Sequence, residues 1–273
     1  MAGDELNAIL AERIDYGPSL AVLRIIPNGW EVPNFKPGQY TTLGVLGSTP
    51  RCSGSDPDKT PIADPTKLLK RAYSIASAPH EKNYVEFNIA LVKGGLFTPR
   101  LWNLKVGDPL FLGPKITGTF TMDPVPKDKN IVFIGTGTGL GPFMSMIYGN
   151  IETLGSRKFA VLHGVRTSQE LCYRGELAAL ARMSSNFAYL PIISRPHEDK
   201  APWKGVTGHV QKLWELGALK DAWKTDITPD NTYFFLCGSP NMIKDTTELL
   251  AKAGFKEHTH KVPGQVHVEK YWT

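Results

Sequence analysis

Residues 131–143 read IVFIGTGTGLGPF, in which Gly135, Gly137, Gly139 and Gly141 mark a turn between a strand-like apolar run and a helical one. Glycines at this spacing let backbone N–H groups approach an anion closely. Pro142 suits the first turn of the following helix, so uncovered N–H groups and the helix dipole face the turn. A pyrophosphate matches that chemistry. The spacing is not G-x-G-x-x-G, which counted from Gly135 needs glycine where Leu140 stands, and no G-K-[ST] follows to make a Walker loop. The bland alternative is a tight turn without a ligand. Arg166 in HGVR and Arg195 in IISRP each follow a strand-like run, which brings both to one sheet edge. Two guanidiniums there either grip a phosphate, such as the 2′-phosphate of NADP(H), or sit solvated in loops. Cys237 in CGSP closes another run and opens a helix; it is either a small buried residue or a group facing a reacting ring.

In the first half, RAYS (residues 71–74) lies in a strand-like segment, so Arg71 and Tyr73 share one face and Ala72 and Ser74 the other. Upstream stands PGQY (37–40) and downstream GGLFTPRL (94–101), where glycines again open a helix able to hold a second pyrophosphate. Two phosphate-binding turns imply two nucleotides. The seven histidines show no H-E-x-x-H spacing, and His258 with His260 reads as a solvated pair, so no metal is expected. No G-x-S-x-G elbow supports hydrolase chemistry. Cys52, Cys172 and Cys237 lie far apart, which excludes a CxxC zinc or iron–sulfur site; redox work by this chain needs an organic cofactor.

The elements that must position these residues fall into two groups. A chain of 273 residues has room for two compact units, and 41% apolar with 21% charged residues suits buried cores rather than disorder. Short strand-like runs, SLAVLRII, GQYTTLGVL, RAYSIAS, NYVEFNIALV and DPLFLG, alternate with Gly/Pro turns and point to an antiparallel barrel or sandwich, interrupted by one helix around TPRLWNL. Residues 49–67, rich in Pro, Asp and Ser, read as a long surface loop. Beyond residues 124–129 strands alternate with helices, the pattern of βαβ units on a parallel sheet. Helices are expected at PFMSMIYGNI, SQELCYRGELAALARM, HVQKLWELG and PNMIKDTTELLAKAG, and QVHVEKYWT reads as a last strand. The net charge of +5 lies mostly in the second half and forms no Lys/Arg cluster, so an anionic nucleotide or an acidic protein partner is expected and nucleic acid is not. No run approaches the roughly 20 apolar residues of a bilayer span, and the acidic N-terminus is unlike a signal peptide, so the expectation is a cytoplasmic protein without membrane contact.

Taken together and in order, PGQY, RAYS, GGLFTPRL, GTGTGLGP, HGVR, ISR, CGSPNM and the terminal VEKYW resemble the ferredoxin–NADP(H) reductase family, bacterial type, over nearly the whole chain. The resemblance implies an antiparallel FAD-binding β-barrel (1–126) followed by an α/β parallel-sheet NADP-binding domain (127–273) with an aromatic tail on the flavin. It implies that Arg71 holds the FAD pyrophosphate with the Leu96, Phe97 and Thr98 turn, that Tyr73 stacks on the flavin, and that Ser74 hydrogen-bonds near N5. Ala72 and Asn88 join this FAD set, and Thr138 lies beside the flavin. For NADP it implies Gly137, Val165, Arg166, Ser194, Arg195 and His209, with Ser239, Pro240, Asn241 and Asp245 bordering the nicotinamide nucleotide. Tyr271 would cover the other flavin face, so that nicotinamide must displace it, and Trp272 would touch the FAD adenosine. Ser74, Cys237, Glu269 and Tyr271 are the implied catalytic group.

Three departures from the family pattern stand out: TGHV places His209 where several bacterial relatives carry a third arginine, so the 2′-phosphate grip is weaker or borrows Lys204; Thr273 extends past the terminal Trp; and the 49–67 loop is long, with Arg51, Lys59, Lys67 and Lys70 around it. The activity implied is hydride exchange between NADP(H) and FAD, with single electrons passing to an acidic carrier, ferredoxin or flavodoxin; the oligomeric state is not legible in the sequence, and a monomer is the expectation. The alternatives are a flavin reductase component serving an oxygenase, a quinone or a ferric complex, and a non-catalytic flavin electron-transfer protein.

Overall fold

The computed structural model describes residues 6–153 and 155–270. It divides into two compact units, one holding the chain up to Thr121 together with Met144–Gly149, the other Met122–Phe143 and the chain from Asn150 onward.

In the first unit, β1 (Ala8–Asp15), β2 (Leu20–Pro27), β3 (Tyr40–Leu46), β4 (Leu68–Ser74), β5 (Val85–Ala90) and β6 (Pro109–Leu112) form an antiparallel sheet in the order β4-β3-β6-β1-β2-β5. Just past the end of β4, Ala76 N donates to Glu86 O of β5 at 2.8 Å, so the two edges of the sheet meet and it curls on itself. Alternating side chains, among them Leu10, Leu23, Ile25, Leu43, Phe87 and Ile89, fill the interior, and Phe97 and Leu101 at helix α1 (Thr98–Asn103) close it. Strand β1 is not among the strands expected from sequence, because Glu12 and Arg13 interrupt its apolar pattern. Glu12 is answered by Arg24 on β2 at 2.6 Å, and the bulge between Leu10 and Glu12 adjusts the register.

Residues 49–67 form a loop, as the composition suggests, but one that does more than cover surface. Its base is closed by Gly47 N to Lys67 O (2.9 Å) and Ser48 N to Pro65 O (2.8 Å). Its middle delivers Asp58 to two arginines, Arg51 and Arg100, at 2.5 Å each. Arg100 is only 4% exposed, so Asp58 supplies the counter-charge for a guanidinium inside the fold.

In the second unit β7 (Asn130–Thr136), β8 (Phe159–Val165), β9 (Phe187–Ile193), β10 (Thr232–Gly238) and β11 (Val266–Lys270) make a parallel sheet in the order β11-β10-β7-β8-β9. Helix α2 (Leu140–Tyr148) follows β7 and passes at Met144 into the segment counted with the first unit; α3 (Arg174–Met183), α4 (Gln211–Glu215), α5 (Ala218–Trp223) and α6 (Pro240–Lys252) complete the connections. The chain builds outward from β7 through β8 to β9, then returns to place β10 on the other side of β7. The carboxyl ends of β7 and β10 are therefore the topological switch point, where open α/β sheets form their crevice.

Two helix expectations need correction. The single helix expected over 168–183 is broken: Ser168–Glu170 is one tight turn, and Tyr173 at φ 57° resets the backbone before α3 starts at Arg174. Helix α5 lies in a stretch for which the sequence predicts no element; Gly217 at φ 69° ends α4 and starts it, and Leu219 and Trp223 anchor it in the core. On β8, His163 is fully buried with Nδ1 3.2 Å from Tyr189 Oη and, among the described residues, no partner for Nε2. Burial pushes its pKa down to about 3.

Candidate functional site: two nucleotide-binding units

The switch point is built by close backbone packing. A Cβ on Gly139 would stand 2.1 Å from Cys237 O and 2.8 Å from Gly238 N, so only glycine lets the turn after β7 lie against the end of β10. Gly238, at φ 138°, is crowded in the same way by Thr136 Oγ1 at 2.2 Å. Thr136 Oγ1 in turn accepts a hydrogen bond from Ser239 N at 3.0 Å and fixes the entry to α6. The glycine turn itself is helical: Gly137–Gly139 is a 3-10 turn running into α2, so the helix begins two residues before Pro142, which sits inside its first turn. Gly137 has φ 56° and open space around it, and Thr138 beside it is half-buried.

Next to this packing lies a cavity of about 800 Å³ whose walls include Thr136, His209, Gln211, Lys212, Ser239 and Asn241. Asp245 lines it as well, so four of the residues expected to bind NADP, His209, Ser239, Asn241 and Asp245, converge there. Pro240 opens α6 behind them. Thr136, Gln211 and Lys212 are not among the residues the sequence singles out. Thr136 carries a signal, since it stands inside the glycine run; the other two carry none, because only the return of α4 over the sheet edge brings them in. Gln211 Oε1 is buried with no hydrogen-bond partner among the described residues, and Lys212 Nζ donates to Thr207 O at 2.9 Å.

Arg166 and Arg195 are brought together at the ends of β8 and β9: Arg195 N donates to Arg166 O at 2.8 Å, and Ser194 N to Val165 O at 2.9 Å. The Ser194 hydroxyl also points to Val165 O, at 3.3 Å. Gly208 N donates to Ile193 O (2.8 Å), which ties the segment carrying His209 to the same edge. Each arginine already holds a carboxylate. Glu170 accepts from Arg166 Nε at 2.9 Å, from its Nη2 and from its backbone N at 3.1 Å; Glu198 lies 3.3 Å from Arg195 Nη1. The hydrogen bond to Glu170 is the main reason the Arg166 pKa is raised, and Glu198 adds to it through space. Lys204 is exposed on the loop before His209.

Cys237 is wholly buried, with Sγ 3.8 Å from Glu269 Oε2 across the β10–β11 ladder, where the two residues are register partners. Tyr271, Trp272 and Thr273 lie outside the described residues.

In the first unit Arg71 and Tyr73 lie on β4 opposite Leu43 and Thr41 of β3. Arg71 is exposed and donates to Lys70 O at 2.7 Å, while the Tyr73 ring packs 5.9 Å from that of Phe97. Burial drives the Tyr73 phenol pKa up, opposed by Arg71, so the ring carries no charge. Ala72 is exposed, and Ser74 and Asn88 are buried. Leu96 is exposed and Phe97 buried; no side chain caps the start of α1, and the Thr98 hydroxyl is engaged with Val92, accepting from its N at 2.9 Å and donating to its O at 3.3 Å. Among the described residues no group of three or more His, Cys, Asp or Glu is placed to hold a metal, and no helix is long and apolar enough to cross a membrane.

An antiparallel barrel unit is thus followed by a parallel-sheet unit, and each carries candidate nucleotide-binding residues. Residues 61–120 match the oxidoreductase FAD-binding domain and residues 133–248 the oxidoreductase NAD-binding domain. The chain is 33% identical over 240 residues to the flavodoxin/ferredoxin–NADP reductase of Buchnera aphidicola, covering 87% of this chain and 88% of that one. It is 28% identical over 255 residues to a component of the Na(+)-translocating NADH-quinone reductase of Neisseria meningitidis, covering 85% of this chain and 60% of the relative. Among solved structures, a ferredoxin NADP+ reductase from Neisseria gonorrhoeae with bound FAD and NADP superposes with a TM-score of 0.79 at 25% identity, covering 97% of this chain and 98% of that chain. The chain belongs to the flavodoxin/ferredoxin–NADP reductase family. It is an FAD- and pyridine-nucleotide-dependent oxidoreductase.

The residues present fit these groups. The open space around Gly137 at φ 56° and the unpartnered Gln211 Oε1 on the cavity wall suit a polar nucleotide in the second unit. Exposed Arg71 beside the uncharged Tyr73 ring suits an anionic aromatic cofactor in the first.

Proposed function

We propose that this enzyme oxidises NADPH and hands the electrons one at a time to a small acidic carrier, ferredoxin or flavodoxin. The observation that carries the NADPH half is the convergence of His209, Ser239, Asn241 and Asp245 on one cavity at the switch point, with Arg166 and Arg195 joined backbone to backbone at the neighbouring strand ends. In this reading residues 127–273 bind NADP(H). Arg166, Ser194 and Arg195 hold the adenosine 2′-phosphate, Val165 packs beneath them and Gly137 lets the turn approach the pyrophosphate. The 239–241 turn and Asp245 border the nicotinamide nucleotide.

Residues 1–126 bind FAD. Bound FAD supplies the conversion between two-electron and one-electron transfer. Arg71 and the 96–98 turn neutralise and orient its pyrophosphate, Tyr73 offers a flat uncharged face to its ring system, and Ser74 and Asn88 offer hydrogen bonds. From the second half of the chain Thr138, Tyr271 and Trp272 are assigned to FAD, and Cys237, Glu269 and Tyr271, with Ser74, to catalysis. Glu269, held within reach of the buried Cys237 thiol, is the group able to carry a proton there. The name of the Buchnera relative and the excess of basic over acidic residues support the choice of an acidic carrier. The quinone reductase relative keeps open a different acceptor for other members of this fold.

Two measurements test the proposal. The purified protein should show a flavin spectrum that bleaches without oxygen on adding NADPH, and more slowly with NADH. Reduction of purified ferredoxin or flavodoxin should then slow steeply as salt is added, since steering between opposite charges is screened. Rapid, salt-independent reduction of a quinone or ferric complex, with no turnover of either carrier, would overturn the carrier assignment.

A further inference from the structure

The two arginines assigned to the 2′-phosphate do not wait with open hands, and the two carboxylates on them differ in kind. Glu170 is sheltered, 13% exposed at its side chain, and receives three N–H groups of Arg166, the backbone N among them. It orients the guanidinium. Glu198 is 47% exposed and reaches Arg195 only at 3.3 and 3.5 Å, longer than the roughly 2.7–2.9 Å of a well-made charged pair. It also acts on Arg166 through space, and His197 Nε2 lies 3.6 Å from it.

Nor is the position of Glu198 accidental to the loop. The next residue, Asp199, accepts from Ser168 N at 2.7 Å and from Ser168 Oγ at 2.9 Å, which clamps the turn after β9 to the turn after β8. Arg195 O receives Glu198 N at 3.0 Å. A carboxylate is thus fixed by its backbone, yet loosely held by its side chain, beside the cations that a phosphate would use.

We infer that Glu198 is a specificity-determining residue, an internal anion that competes with the 2′-phosphate of NADP(H) for Arg195 and so narrows the preference for NADPH over NADH. The inference rests on the assignment of Arg166 and Arg195 to that phosphate. A nucleotide without the 2′-phosphate leaves the Arg195–Glu198 pair intact. One with it must push the carboxylate aside and then tolerate its charge nearby, an opposition of about 1 kcal/mol at 4 Å in water, or about fivefold in affinity.

The test is calorimetric titration of the FAD-loaded enzyme with 2′-phospho-AMP and with 5′-AMP. The Glu198→Gln variant should bind 2′-phospho-AMP about fivefold more tightly and 5′-AMP within twofold of the parent, with the gain shrinking as salt rises. Glu198→Ala should move the same way, and Glu170→Gln the opposite way because Arg166 loses its brace. Parent enzyme that prefers 2′-phospho-AMP, with Glu198 variants that bind it no more tightly, would overturn the role of Glu198 and leave the arginine assignment standing. Parent and Glu198 variants that all bind the two nucleotides equally would overturn both.

Discussion

Replacing Gly139 by alanine adds one methyl group at the point where the glycine turn meets β10. That methyl would stand 2.1 Å from Cys237 O, 2.4 Å from Cys237 C and 2.8 Å from Gly238 N, against the 3.4 Å at which ordinary contact begins. All three atoms are backbone, and Cys237 is locked by register to Gly135 on one side and Glu269 on the other. No side chain can swing away. Something must therefore move by about 1 Å across a three-strand ladder, which places the cost at or above the upper end of the roughly 1–3 kcal/mol typical of overpacking. At about 2–4 °C per kcal/mol for a unit of this size, the melting temperature should fall by about 6–12 °C. Gly137→Ala is the matched control: its φ of 56° carries a penalty of about 1–2 kcal/mol, but no atom lies within 4 Å of the added carbon. Thermal unfolding followed by circular dichroism, with and without NADP+, measures both variants. A Gly139→Ala melt equal to or above that of Gly137→Ala would refute the claim that backbone contact is what requires glycine here.

Asp58→Ala should destabilise the enzyme by about 3–5 kcal/mol in denaturant titration, because it strands the guanidinium of Arg100 at 4% exposure; Arg51→Ala, which leaves the Asp58–Arg100 pair in place, should cost clearly less. His163 has a folded pKa of about 3 against about 6.5 when unfolded, so the unfolded chain binds the extra proton between those values. Stability should accordingly drop by up to about 1.4 kcal/mol per pH unit as pH falls from about 6.5 toward 3, and His163→Phe should flatten that slope in melts across the same range. Thr136→Val removes the acceptor for Ser239 N and should cost about 1 kcal/mol in stability and weaken NADP+ binding in equilibrium dialysis.

How much of the fold and site is legible in the sequence depends on whether the signal is local. The parallel strands FAVLHGV, FAYLPII and TYFFLCG are largely buried on both faces, so continuous apolar runs announce them, and glycine and proline mark their ends. Strand β1 carries Glu12, Arg13 and Asp15 because its charges are answered by Arg24 and by each other, a pairing invisible until β2 folds back on it. The 168–183 segment has helical periodicity throughout, yet Tyr173 adopts a left-handed backbone so that Leu171 and Cys172 can bury, a tertiary demand overriding local preference. At the site, residues in short recognisable segments stand out, from Arg166 to Asn241. Gln211 and Lys212 do not, since the approach of a helix from elsewhere in the chain carries no local mark. The spacing of Glu170 and Glu198, four and three residues after their arginines, is in plain view but lies outside regular α-helices, where that spacing has no fixed meaning.

The mooring of the 49–67 loop by Asp58 changes what kind of chain segment it is. A free loop of that length carries its closing entropy as one long arc, whereas a contact near its midpoint divides it into two short arcs, one from Arg51 to Asp58 and one from Asp58 to the Gly47–Lys67 bond. The two arcs have unequal importance to the fold. Residues 59–61 are exposed and link Asp58 to the closed base of the loop, so a cut, an insertion or a charge change there is absorbed locally. Between 51 and 58 the backbone also meets Pro99 O through Cys52 N and Lys93 O through Asp56 N, the carbonyls on either side of the start of α1. Variation is thus permitted in one half of the loop and constrained in the other, and the boundary between the two is a single carboxylate.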